Sequence, residues 1–181
     1  MIKLRVRKCI MPVSALLAFG LASCGVSTAD QCNNFSEVVQ QGEEFQAEFE
    51  AEMQAFGDSF AGTGELEGLR TMATTYRDAV TKVVTKIEVM SDDLAALELP
   101  DESLDGYRNR YTEITTQFGQ ELTKTSEAMG LIESVETEEA LLPAVTEFQE
   151  KAIDAFTNLE TLSAEGDELT TEINEYCIEA G

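Results

Sequence analysis

Beyond residue 31, apolar residues recur three and four positions apart along almost the whole chain, and that rhythm leaves few folds open. Leu66, Leu69, Ala73, Tyr76, Val80, Val83, Ile87, Met90, Leu94 and Leu97 keep it without a break. Spacing of this kind stacks every side chain of the series on one face of an α-helix, whereas a strand would need alternation every second residue. A second series runs Leu104, Tyr107, Tyr111, Ile114, Phe118, Leu122, Thr125, Met129, Ile132, Val135, with small slips of phase. A third runs Leu141, Val145, Phe148, Ala152, Phe156, Leu159, Leu162, Gly166, Leu169, Ile173, Tyr176, and the first segment contributes Phe35, Val38, Gly42, Phe45, Phe49, Met53, Phe56 and Phe60. Stretches of strand-like alternation are absent, so the expected class is all-α.

The breaks in the rhythm divide it into four long helices, expected over residues 32–58, 65–98, 101–134 and 138–177. Residues 57–64 are rich in glycine. Leu99-Pro100-Asp101 is a sharp stop, because the residue before proline avoids the α region, and Asp101 is suited to cap the helix that follows. Polarity rises over 134–137, with Thr137 a second candidate cap, and Pro143 is compatible with a helix only in its first turn or two. Short connections join antiparallel neighbours, which gives an up-down-up-down four-helix bundle as the expected architecture.

The first residues do not belong to that pattern. Lys3, Arg5, Arg7 and Lys8 precede an apolar run from Ile10 to Ala22, with no acid among them. A basic start, a short apolar run and small residues at its end make a secretory signal, and the run falls short of the ~20 residues that span a bilayer. It closes on Leu21-Ala22-Ser23-Cys24. This motif resembles the lipobox of bacterial lipoproteins. The resemblance implies that residues 1–23 are cleaved, that Cys24 carries acyl chains, and that residues 24–31 are a short tether to a single domain over 32–181. Each buried acyl methylene contributes about 0.8 kcal/mol, so two or three chains hold a protein where one is marginal. Such a protein is extracytoplasmic and membrane-anchored. Gly25 stands where some two-membrane bacteria use Asp to retain a lipoprotein at the inner membrane, which in a two-membrane host favours the outer membrane; in any other host the expected place is the cell surface.

Under that resemblance Cys9 leaves with the signal and Cys24 is acylated, so Cys32 and Cys177 remain to pair in an oxidising compartment. In an up-down-up-down bundle the start of the first helix and the end of the fourth share one end, within the ~7 Å that a disulfide requires. The same end then carries the lipid.

Charge and composition narrow function. The chain has no His, which removes imidazole-based nucleophilic pairs and His-ligated metals. Its 12 Lys+Arg against 35 Asp+Glu give a net charge of −23, and loss of the signal takes this to −27. A nucleic-acid partner is excluded by that sign; a basic protein partner suits it. Glu43, Glu44, Glu48, Glu50, Glu52, Asp92 and Asp93 are the densest acidic positions, consistent equally with binding of basic proteins or divalent cations and with a saline habitat. Asp101-Glu102-Ser103-Leu104-Asp105-Gly106 resembles the first half of an EF-hand loop, but Thr112 stands where the closing Glu is required, so the segment reads as a helix cap and no metal is expected. None of the acids falls squarely on a stripe, and no enzyme activity and no cofactor are expected.

Gly42 and Gly166 occupy stripe positions meant for large residues. Counted from the cysteines, both lie about 15 Å along adjacent helices, level with Met90 and Tyr111. Either the backbones approach closely there, which is the favoured reading, or the glycines leave a small pocket lined by Tyr111. The expected function is a non-catalytic, membrane-anchored interaction or accessory subunit of an envelope or membrane complex. In outline it is similar to the small four-helix lipoproteins on the lumenal face of photosystem complexes, a likeness of fold alone. The alternative is a binding module for a small ligand or divalent cation, using the layer of Gly42, Met90, Tyr111 and Gly166 or the acidic surface.

Overall fold

The computed structural model describes residues 26–60 and 66–180, without the side chains at 43, 46, 50, 52, 53 and 55–60. The signal-like segment, Cys9 and Cys24 lie outside the described residues, as do residues 61–65 and the side chains of Met53, Phe56 and Phe60. Four helices account for nearly all the described chain, which contains no strand: α1 Thr28–Phe60, α2 Leu66–Ala96, α3 Glu102–Glu133 and α4 Glu138–Ala180. At 1.5 Å per residue they are about 45–65 Å long. They pack side by side in a bundle-like arrangement. No described helix is long and apolar enough to cross a membrane.

Helix α1 starts at Thr28, where the tether of residues 24–31 was expected to continue. The cause is a cap. Ser27 Oγ accepts from the Asp30 N–H (3.1 Å) and donates to the Asp30 carboxylate (2.7 Å), satisfying groups that an uncapped first turn leaves open. Asp101 caps α3 in the same way: its backbone is extended and its Oδ1 accepts from the N–H groups of Ser103 and Leu104 at 3.0 and 3.1 Å. Ser134 closes α3, and Pro143 is carried inside α4, in its second turn.

The stripes form the core. Those of α2 and α3 are buried over most of their length, and Phe35, Leu94, Leu104 and Leu169 are completely so. Burying each such side chain contributes about 1.5–3 kcal/mol. The stripe of α4 departs from expectation at one position. Phe156 is 47% exposed, while its neighbour Ala155 is buried. Taking Ala155 instead restores an unbroken alternation of four and three through Ala152, Leu159 and Leu162. The helix obeys that period and turns the larger aromatic outward.

Cys32 on α1 and Cys177 on α4 stand at disulfide distance, with Cα atoms 5.7 Å apart across 145 residues of sequence. Around them a polar network joins three helix ends. Tyr176 of α4 donates to both Asp101 oxygens at 2.9 Å, Thr28 of α1 donates to Asp101 at 3.4 Å, and the Asp101 N–H donates to Gln31 Oε1 at 3.0 Å. Gln31 is buried and spends its amide on the Val26 carbonyl at 3.1 Å. Elsewhere neighbouring helices are joined by the ion pairs of Arg77 with Glu133, Lys86 with Glu48 and Arg110 with Glu172, while Lys124 with Glu121 and Lys151 with Glu147 pair along a single helix.

Candidate ligand cavity

The core is not continuous. One cluster surrounds the cysteines and includes Phe35, Met90, Leu94, Leu104 and Tyr111; a second, farther along, includes Tyr76, Val80, Val83, Ile87, Leu122 and Met129. Phe45 packs against both. Between them lies a cavity of about 430 Å³. That volume is within the range of small-molecule sites, about 300–1,000 Å³.

Each helix contributes a wall. Helix α1 supplies Val39, Gly42, Phe45 and Phe49, and α2 supplies Val83, Ile87 and Met90. Helix α3 adds Tyr111, Ile114, Thr115 and Phe118, and α4 adds Leu162, Ser163, Gly166, Asp167 and Thr170. Gly42, Met90, Tyr111 and Gly166 therefore line one space. The close backbone approach favoured from the paired glycines is not what occurs at this level: no backbone atom of a neighbouring helix lies within 4 Å of a Cβ built on either glycine. A Cβ built on Gly42 would lie 2.9 Å from the Tyr111 hydroxyl and 3.8 Å from Met90 Sδ, so Gly42 is the recess that seats the phenol. The ring is held edge-on to Phe35, with centroids 6.3 Å apart at 85°. Gly166 is different. A Cβ there would meet only Ile114 Cγ2 at 3.9 Å, an ordinary contact, so the missing side chain opens space toward the cavity.

Among the described helices α1 and α4 pack only loosely against each other along their seam: α1 packs chiefly on α2, and α4 on α3. Ser163 and Asp167 are exposed along it. A second, more open recess adjoins the first on this seam, sharing Val39 and Thr170 and walled from α1 and α4 alone. The interior walls are thus aromatic and aliphatic, and the polar groups Thr115, Ser163, Asp167 and Thr170 gather on α3 and α4. Such a surface offers dispersion contact along its depth and a few oriented hydrogen-bonding groups at its edge.

Sequence reasoning reached four lining residues through the misplaced glycines. It missed Ser163, Asp167 and Thr170, which lie beside the α4 stripe rather than on it. It also missed a buried acid. Glu121 is 9% exposed, and one of its carboxylate oxygens has no partner, although the other accepts from Lys124 at 2.7 Å. It lies one residue from the stripe position Leu122, outside the cavity lining.

Asp101, the first residue of the EF-hand-like segment, is occupied as a helix cap. Its carboxyl is held below the usual carboxylate range, first by the Leu104 N–H and then by the Tyr176 hydroxyl. Reciprocally, the hydrogen bond donated to Asp101 pushes the Tyr176 phenol up. Glu133 on α3 is likewise depressed, chiefly by Arg77 and then by Thr74. These groups fasten helix ends and do not face the cavity.

No protein-family model, no curated protein and no solved structure matches the chain.

Proposed function

We propose that the chain is an exported, lipid-anchored binding module: an antiparallel up-down-up-down bundle standing on a membrane by its cysteine end and holding a small apolar ligand between its helices. The cavity at the Gly42 and Gly166 layer is the observation that carries this reading and raises ligand binding above the accessory-subunit role. Binding, not catalysis, suits a lining that is largely hydrocarbon.

Several features support the rest. The antiparallel course is supported by the 5.7 Å Cα separation of Cys32 and Cys177 and by the bonds that tie Asp101, at the turn from α2 to α3, to Thr28 and Tyr176. An oxidised Cys32–Cys177 bridge fits an extracytoplasmic compartment. The anchor rests on the lipobox-like Leu21-Ala22-Ser23-Cys24, and the cap at Ser27 leaves only Gly25 and Val26 between that cysteine and the bundle. Val26 and Ile178 are exposed apolar residues near this end, as contact with an acyl layer would require.

Two measurements test the proposal. Cys24→Ser should move the protein from the membrane pellet to the soluble extracytoplasmic fraction; pelleting that persists in high salt counts against the anchor. The released Cys24→Ser chain should bind the neutral dye Nile red with a blue-shifted, saturable signal, and Gly166→Leu should weaken that binding while leaving the helical circular dichroism unchanged. An absence of saturable dye binding overturns the ligand reading.

A second reading is favoured by a specific surface. Leu142, Ile153 and Phe156 of α4 are 74%, 65% and 47% exposed. They suit the accessory-subunit role, in which another protein covers them, and stoichiometric co-purification from detergent-solubilised membranes would support it.

A further inference from the structure

The cavity has a polarity as well as a volume. Among the described residues Asp167 is the one charged side chain that lines it, and it is exposed on the α1–α4 seam. The two helices bordering that seam share an unusual composition. Helix α1 contains no Lys or Arg from Thr28 to Phe60, and α4 contains none after Lys151, although it continues to Ala180. Over that last stretch α4 carries Asp154, Glu160, Glu165, Asp167, Glu168, Glu172, Glu175 and Glu179. The nearby cation Lys86 sits 5.8 Å from the Phe45 ring centroid and is paired with Glu48. A ligand approaching along the seam therefore passes between walls of one sign, and its polar end meets a carboxylate beside two hydroxyls, Ser163 and Thr170.

We infer that the cavity selects hydrophobic organic cations: an alkyl or aryl body among Phe45, Phe49, Ile87 and Phe118, with a protonated or quaternary nitrogen at Asp167. This rests on the ligand-binding reading above. Fatty acids and other anionic amphiphiles of the same length are disfavoured by the same field, because a carboxylate at the seam would face Asp167 while the nearby Lys86 is already paired with Glu48. A charge held at the edge of a half-open cavity keeps part of its solvation, so selectivity comes without the cost of burying an ion in hydrocarbon.

The test uses three probes with one chain length: octyltrimethylammonium, octanol and octanoate, each displacing Nile red from the soluble Cys24→Ser chain. Displacement should rank cation, then alcohol, then anion, with the cation ahead of the anion by roughly fivefold or more in 0.3 M salt, where distant surface charge is screened to a few ångströms. Asp167→Asn should collapse the cation-to-anion ratio. Glu127→Gln, an exposed acid on α3 outside the cavity lining, should leave that ratio as it is. Saturable dye binding with equal displacement by cation and anion overturns the inference while leaving the ligand site standing. A ratio that falls as far with Glu127→Gln as with Asp167→Asn also overturns it, since the preference would then belong to net charge. Failure of the dye itself to bind removes the ligand reading beneath it.

Discussion

At the scale of single residues the two stripe glycines do opposite work. A methyl group at Gly166 finds open space and replaces the most flexible backbone residue in a helix, which is worth about 0.5–1 kcal/mol. The same change at Gly42 gains that term but drives a carbon against the seated Tyr111 hydroxyl. Gly166→Ala should therefore raise the melting temperature by about 2–4 °C, while Gly42→Ala should lower it, as read by thermal denaturation of the two variants side by side. Asp101 makes a pH-dependent contribution with a definite sign. Its folded-state pKa is depressed by the Leu104 N–H and the Tyr176 hydroxyl, so the stabilisation is present above the ordinary carboxylate pKa and is lost as pH falls through the folded value. Asp101→Asn keeps a capping oxygen but removes the charge. The gap in melting temperature between wild type and this variant should be widest near neutrality and close below about pH 4; a gap that grows on acidification contradicts the assignment.

At the scale of elements, α2 and α3 were legible because their stripes are dense and long, without a break in α2 and with only small slips of phase in α3, which leaves no second register. Helix α4 was legible in length but not in facing. Its phase was misjudged at Phe156, since weighing hydrophobicity alone prefers a phenylalanine to the Ala155 that the period demands. Phe156→Ser should change stability by less than about 0.5 kcal/mol, while Ala155→Leu should cost about 1–3 kcal/mol by overpacking, both measured by urea denaturation. The start of α1 carried its own signal, Ser27 three residues before Asp30, which a boundary set by Cys32 passes over. The cavity was half legible. A glycine on a core stripe announces missing volume, but whether neighbours close over it depends on how far α1 stands from α4, a tertiary distance that no local spacing encodes. Asp167 and Ser163 acquire a role only from that distance.

At the scale of the whole molecule, the start of α1 meets the end of α4. A bridge between Cys32 and Cys177 closes a loop of 145 residues, and the loop-entropy description assigns such closure up to about 5 kcal/mol. Reductant should shift the denaturation midpoint of the wild type downward and leave a Cys32→Ser/Cys177→Ser variant where it is; alkylation of both thiols without prior reduction would contradict the bridge. Charge, too, is a property of the whole. Arg70, Arg77, Lys86, Arg108, Arg110, Lys124 and Lys151 each sit against a carboxylate, so most of the positive charge outside the signal-like segment is spent internally. The surplus of anions is left to the surroundings. Folding squeezes that surplus into a smaller volume and must draw a denser cloud of sodium, potassium or magnesium around it. Salt in the surrounding solution thus becomes a silent component of the native state, and desalting the protein takes that component away.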